Sequence, residues 1–356
     1  MMDKAFEGFF SGKKVLITGH TGFKGSWLSR MMIGFGADVS GYSLRPSTKP
    51  NLFSILNLRK KMRNHFHDIR DYRKVLKAMQ EEKPEIVIHM AAQPLVRDSY
   101  NDPPYTYETN VIGTVNVLQA IKEVGGVKAA VMITTDKVYE NKETPRPYAE
   151  DDELGGYDPY SASKACCEIA IRSYIRSFFD PENGSKTLIA SARAGNVIGG
   201  GDWSRDRLVP DMVRSIVEKN EQVILRNPDA IRPWQHVLDP LNGYLMLAKG
   251  LHEGRKEFVG AWNFAPEESS CIPVEQLVKK AVSKIGKGSY RIEKDPSKHE
   301  MKMLRLDASK AKAVLGWAPR MDIEKSLDWT FGWYGSYYSR KRMDALTGRQ
   351  IDEFFG

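Results

Sequence analysis

Short apolar runs alternate along the first half of this chain with longer segments whose apolar positions recur every three or four residues. Val15-Leu16-Ile17 is apolar without a break, as a strand buried on both faces must be. A glycine-rich turn follows, then a segment from Ser26 to Phe35 with Trp27, Leu28, Met31 and Met32 at helical spacing. Ala37–Tyr42 reads as a second strand after Gly36. The same rhythm predicts helices over 71–82, 107–124 and 157–179, and strands over 85–89, 129–134 and 188–193. Strictly alternating strands and helices with short turns predict an α/β protein built on a doubly wound parallel sheet.

After Arg193 the rhythm breaks. Residues 195–210 are rich in Gly, Asp and Trp, shorter mixed elements follow, and the chain ends in a stretch dense in aromatics, Trp329 to Tyr338. This predicts a dinucleotide-binding domain over 1–195, with segment 233–265 returning to it. A smaller mixed α/β lobe over 196–356 would hold the substrate. The aromatic stretch reads as packing, since no basic groove accompanies it as a base-stacking platform requires.

Composition narrows the picture. With 356 residues, 41% hydrophobic and 28% charged, the chain is neither disordered nor a disulfide-dense secreted module. The 53 Lys and Arg exceed the 45 Asp and Glu by eight. The excess is scattered among acids, so it suits a small polyanionic substrate better than nucleic acid. The densest cluster, Arg59 to Arg63, reads as a solvated helix face. The first residues, MMDKAFEGFFSGKK, hold no apolar stretch long enough for a signal peptide, and runs such as Ala129–Ile133 are too short to span a membrane. Three cysteines, two adjacent, cannot form a framework and fit a reducing cytoplasm. Cys166 and Cys167 read as small buried apolar residues, and His89 as a satisfied core residue. No metal site is expected: His65 and His67 alternate without acids or cysteines at ligand spacing.

Two segments carry chemistry. Gly19-x-x-Gly22-x-x-Gly25 lies between a predicted strand and a predicted helix, where glycines let the backbone approach a pyrophosphate and the helix N-terminus meets its charge. No acid ends the second strand, Gly41-Tyr42-Ser43-Leu44-Arg45, so the residues leave NAD and NADP both open. Tyr160 and Lys164 stand one turn apart on a helix that Pro159 starts. The ammonium favours the phenolate, which can take a proton from an alcohol as hydride leaves the carbon. Thr134-Thr135-Asp136-Lys137 follows a predicted strand at the edge where such sheets place ligands. Thr135 is placed to bond a reacting hydroxyl, and Asp136 to serve as an acid.

These segments occur in order with Asp68-Ile69-Arg70-Asp71, Ile88–Gln93, Asn110–Thr114, Arg193–Trp203 and Arg232–Asp239. Together they resemble the extended short-chain dehydrogenase/reductase family over nearly the whole chain. Within it they are similar to nucleotide-sugar 4,6-dehydratases, and the wording at 134–139 and 195–203 to those acting on CDP-glucose. The resemblance implies a Rossmann-type fold and tightly held NAD. It implies a lyase that oxidises C4 of CDP-glucose, eliminates water across C5 and C6, and returns the hydride to C6, supplying deoxysugar for a surface polysaccharide such as O-antigen. It implies cofactor contacts at Gly19, Thr21, Gly22, Phe23, Lys24, Gly25, Asp68, Ile69, Ala91, Ala92, Asn110, Tyr160 and Lys164. It also implies substrate contacts at Gln93, Asn196, Arg207 and Arg232, and a homodimer or dimer of dimers through the helices at 102–124 and 157–179. Many relatives carry a glutamate as the C5 base, where this chain has Lys137. A lysine serves if its pKa is lowered, or it stays charged and stabilises the enolate. A 4-epimerase shares the glycines, Tyr160 and Lys164 but needs no acid at C6, so Asp136-Lys137 argues against it. A dinucleotide-binding regulator without catalysis would have no need of Thr135, Tyr160 and Lys164 together.

Overall fold

A computed structural model describes residues 6–293 and 303–356; the first five residues weighed above for a leader lie outside them. Its centre is a seven-stranded parallel sheet. The first six strands in chain order are β1 (Lys14–Thr18), β2 (Asp38–Ser43), β3 (Arg63–Phe66), β4 (Ile86–His89), β5 (Ala129–Ile133) and β6 (Leu188–Ala194). The spatial order is β3-β2-β1-β4-β5-β6, and Gly260–Phe264 adds a seventh strand beside β6.

Alternation along each strand divides two cores. Val15, Ile17, Ile86, Ile88, Ala129 and Val131 face one side, while Leu16, Val87, Ala130 and Met132 face the other. That is why the strands read as unbroken apolar runs: helices cover both faces, and each buried Val or Ile stabilises the sheet by roughly 1.5–3 kcal/mol. The order reverses between β1 and β4. At the strands' carboxyl ends there, where such sheets place ligands, the glycine loop and the segment after β4 meet.

Several element ends differ from the sequence expectation, each for a local reason. The first helix begins at Phe23 rather than Ser26, because Gly22 is its N-cap. The helix expected from Tyr107 starts at Pro103, capped by Asp102, and passes through a π-helical stretch at Glu108–Ile112 before running on to Val124. The Tyr–Lys helix spans Pro159–Phe178, with Asp158 accepting from the Ser161 N–H as its cap. The basic cluster is no helix face. It is a 3₁₀ turn (Leu58–Lys60) leading into β3, and Lys61 and Arg63 pair with Asp344 and with Asp38 and Glu82. The aromatic stretch packs: Trp333 and Tyr334 are buried against Trp203 in the helix Ile323–Tyr338. Cys167 is buried, whereas its neighbour Cys166 is only half-buried. His89 bridges Thr18 (2.7 Å) and Thr114 (3.1 Å) inside the sheet.

Beyond β6 the chain adds the helix Leu238–His252, packed on the sheet, and three small two-stranded pairs. One of them joins Ile231–Pro233, which carries Arg232, to Cys271–Pro273.

Candidate active site

The glycines of the first turn are spaced for close approach. Gly19 has φ +72°, and a Cβ there would lie 2.7 Å from the Ala91 nitrogen; a Cβ on Gly25 would lie 2.2 Å from the Gly19 carbonyl oxygen. Gly22 differs, since its Cβ would meet only that carbonyl, at 3.4 Å. The exposed Gly22 starts a 12-residue helix with no side-chain cap, so the first N–H groups of that helix have no capping side chain. An anionic pyrophosphate fits this cradle. Thr18 Oγ1 accepts from the Met90 and Ala91 amides, holding the half-buried Ala91 and Ala92 beside it.

Thr21 lies in the turn, but its hydroxyl is spent on Ser43 and the Leu44 carbonyl, tying the turn to the end of β2. There, where an acid would meet a ribose, Arg45 lies over the Phe66 ring at 4.8 Å. Asp68 is gripped by Arg70, its carbonyl accepts from the Tyr42 hydroxyl, and Ile69 is buried against Gly113.

At the carboxyl end of β5 the structure gathers Thr135, Asp136, Tyr160 and Lys164. Thr135 caps a 3₁₀ turn, Asp136–Val138, that leaves β5. Its hydroxyl donates to Asp136 Oδ1 at 2.9 Å. Asp136 is 2% exposed, yet its Oδ2 has no hydrogen-bond partner. Tyr160 is buried, which pushes its phenol up to about 12; the Thr135 hydroxyl, bonded to it, and the Arg207 cation act the other way. Lys164 is 4% exposed and donates to the Ile133 carbonyl at 3.1 Å. Burial lowers its pKa, while Cys167 and Glu168 oppose that shift. Lys137 follows Asp136 on the same turn and is half-buried.

Lys24 brings a cation that its place in the glycine motif does not announce. Its Nζ lies 5.8 Å from the centre of the Tyr244 ring. Burial, with the charges of Arg207 and Lys164, brings its pKa down to about 7, and Asp136 opposes. Phe23, beside it, packs half-buried near Gly199.

Two amides expected as ligands are braces. Asn110 is fully buried, exchanging bonds with the Gln93 backbone and donating to Ser163 Oγ on the Tyr–Lys helix. The Gln93 amide is spent on Leu95 and Thr106. Arg207, ahead of a short helix, reaches the Pro94 carbonyl at 3.4 Å and acts electrostatically on both Tyr160 and Lys24. Asn196 holds a positive φ of 22° just past β6, and Arg232 Nη1 donates to the Ile231 carbonyl.

Sequence spacing missed Gly195. A Cβ there would lie 2.2 Å from Asp136 Oδ2, so only glycine leaves room for the buried carboxylate. It also missed Glu168 and Arg193, a fully buried ion pair at 2.9 Å behind the site. One signal was available: Ser191 and Arg193 alternate along one strand with Gly195 just past its end, and Glu168 is four residues beyond Lys164.

The family model of GDP-mannose 4,6 dehydratases matches residues 16–330. A CDP-glucose 4,6-dehydratase of Salmonella typhimurium is 47% identical over 357 residues, covering 99% of this chain and 98% of that protein. A dTDP-glucose 4,6-dehydratase of the same organism is 26% identical, over 90% of this chain and 92% of its own length. Among solved structures, the dTDP-glucose 4,6-dehydratase of Streptomyces venezuelae with bound NAD superposes with a TM-score of 0.78 at 24% identity, covering 92% of this chain and 98% of that one. The UDP-glucose 4-epimerase of Stenotrophomonas maltophila, also with NAD, gives 0.79 at 22%, covering 92% and 99%. The chain therefore belongs to the GDP-mannose 4,6 dehydratase family, within the extended short-chain dehydrogenases/reductases.

Proposed function

We propose that this protein is an NAD-dependent CDP-glucose 4,6-dehydratase, a lyase yielding CDP-4-dehydro-6-deoxyglucose and water. The single observation that carries the choice is the 47% identity over nearly full length to a CDP-glucose 4,6-dehydratase. The buried Asp136, whose Oδ1 accepts from Thr135 while Oδ2 has no hydrogen-bond partner, supports it, because a 4-epimerase has no use for an acid at C6.

The uncapped helix at Gly22 and the glycines around it hold the dinucleotide pyrophosphate, with Asp68 and Ile69 towards the adenine. NAD, when bound, supplies a hydride acceptor for C4 and then a donor for C6, so the reaction has no net redox change. Thr135 orients the C4 hydroxyl, and Tyr160 accepts its proton with Lys164 as the neighbouring cation. The C4 ketone acidifies C5. Lys137 removes that proton as a base rather than only stabilising the enolate as a cation, and it returns a proton to C5 when C6 is reduced. Asp136 protonates the departing C6 hydroxyl, which leaves as water. Arg207 and Arg232 meet the substrate pyrophosphate through guanidinium forks, and Asn196 meets the sugar nucleotide.

In this reading residues 1–195, with 233–265, form the dinucleotide-binding domain, and 196–356 mainly hold the nucleotide sugar. The helices over 102–124 and 157–179 carry the contact of a homodimer or dimer of dimers, a reading supported by exposed Ile112 on the first and exposed Ile169 and Phe178 on the second. Three free cysteines and the absence of a membrane-spanning helix among the described residues fit a cytoplasmic enzyme supplying deoxysugar for polysaccharide.

Incubating the protein with CDP-glucose and NAD should give a product lighter by one water, whereas UDP-, GDP- and dTDP-glucose should return unchanged. Intact CDP-glucose at high enzyme concentration refutes the assignment, and a product of unchanged mass with inverted C4 decides for the epimerase.

A further inference from the structure

Directly behind the catalytic turn lies an ion pair that stability alone does not explain. Glu168 and Arg193 are 4% and 3% exposed, and taking two charges out of water costs about as much as their attraction returns. The carboxylate is fully engaged. Oε1 accepts from Thr134 Oγ1 at 2.5 Å; Oε2 accepts from Ser191 Oγ at 2.7 Å and Arg193 Nη2 at 2.9 Å. Arg193 Nη1 donates onward to the Tyr139 hydroxyl at 2.6 Å, which donates to Asn263 Oδ1.

These partners bracket the reaction machinery. Thr134 immediately precedes Thr135, and Tyr139 immediately follows the turn holding Asp136 and Lys137. Glu168 lies one helical turn beyond Lys164. Ser191 and Arg193 sit on β6, and Gly195, just past its end, abuts Asp136. One buried pair thus grips both ends of the catalytic turn and the helix bearing Tyr160 and Lys164.

We infer that Glu168 and Arg193 are positioning residues for the dehydratase reaction, fixing the Thr135–Lys137 turn against the Tyr–Lys helix and balancing the charge around Tyr160 and Lys164 as Tyr160 takes the C4 proton. The inference rests on the dehydratase reading. Glu168 raises the pKa of Lys164, so neutralising it leaves a buried guanidinium unopposed, lowers the Lys164 pKa, and by the same excess of positive charge favours the phenolate of Tyr160 one turn away. The other groups facing Tyr160 and Lys164 stay constant. They are Asp158 and Cys167 on the same helix, Asp136 on the turn, Lys24, Arg207, Tyr244 and His89.

The test is the pH dependence of kcat/KM with CDP-glucose. Glu168→Gln should move the acid limb to lower pH by on the order of one pH unit. The double variant Glu168→Gln/Arg193→Met, with no lone charge, should return the limb to its wild-type position while kcat stays about tenfold or more down, because the grip on the turn is gone. Should Glu168→Gln be insoluble, Thr134→Val removes one bond to the carboxylate without stranding a charge. It should lower kcat about tenfold with KM changed less than about twofold. An unmoved limb in Glu168→Gln, a shift that persists in the double variant, or an unchanged kcat in Thr134→Val overturns the inference. Turnover by the unmodified enzyme tests the functional reading separately.

Discussion

Replacing Gly195 by alanine adds one methyl group at the point where β6 meets the proposed acid. The new Cβ would lie 2.2 Å from Asp136 Oδ2 and 2.7 Å from Cγ. Favourable contact between carbon-sized atoms begins near about 3.5 Å, so the carboxylate must retreat by about 1 Å. Gly195 is not among the positive-φ glycines, so the backbone tolerates alanine and the clash is the whole perturbation. Asp136 cannot retreat freely, because its other oxygen accepts from Thr135 at 2.9 Å and the residue is 2% exposed. A misplacement of about 1 Å in a reacting group costs on the order of 10²-fold. The loss should fall on elimination, since Tyr160 and Lys164 are not touched by the methyl group. In stopped-flow mixing with CDP-glucose, reduced-cofactor absorbance should rise and then decay about a hundredfold more slowly than in the wild type. Product loss of water should slow in step. Circular dichroism and the melting curve check that the fold survives. Near-wild-type turnover by Gly195→Ala refutes the placement of Asp136 as the C6 acid, and so does a loss confined to C4 oxidation.

Lys137→Ala should still permit C4 oxidation while solvent deuterium ceases to enter C5 and turnover falls about 10²–10⁴-fold; near-normal exchange at C5 would assign that proton to another base. Lys24 offers a pH test of the nucleotide-free protein. Burial, aided by Arg207 and Lys164, brings its pKa to about 7 from 10.5, so folding opposes its charge. That penalty is complete below about pH 7, shrinks as pH rises, and is gone above about 10.5. Lys24→Met should therefore melt about a few degrees above the parent at pH 6, with the advantage fading towards pH 10. An advantage independent of pH would show that the methionine merely packs better.

The sequence by itself determined whatever depends on neighbours along the chain. Strands such as Ala129–Ile133 declared themselves because both faces are buried, and the glycine spacing because Gly22 and Gly25 both meet the Gly19 carbonyl within their own turn. Tyr160 and Lys164 share a face by helical geometry alone. Resemblance then supplied roles that spacing could not. Only the tertiary structure decided which side chains are spent and which are open. The resemblance implies ligand roles for Asn110 and Gln93, yet packing of the π-helical stretch against the segment after β4 turns the Asn110 side chain onto the Gln93 backbone and the Gln93 side chain onto Leu95 and Thr106. Thr21 likewise faces Ser43, a contact set by the pairing of β1 with β2. The need for glycine at 195, the depressed Lys24 and the Glu168–Arg193 pair all arise between residues far apart in the chain. Burial and charge depend on what the folded sheet brings within a few ångströms, and no local period encodes that.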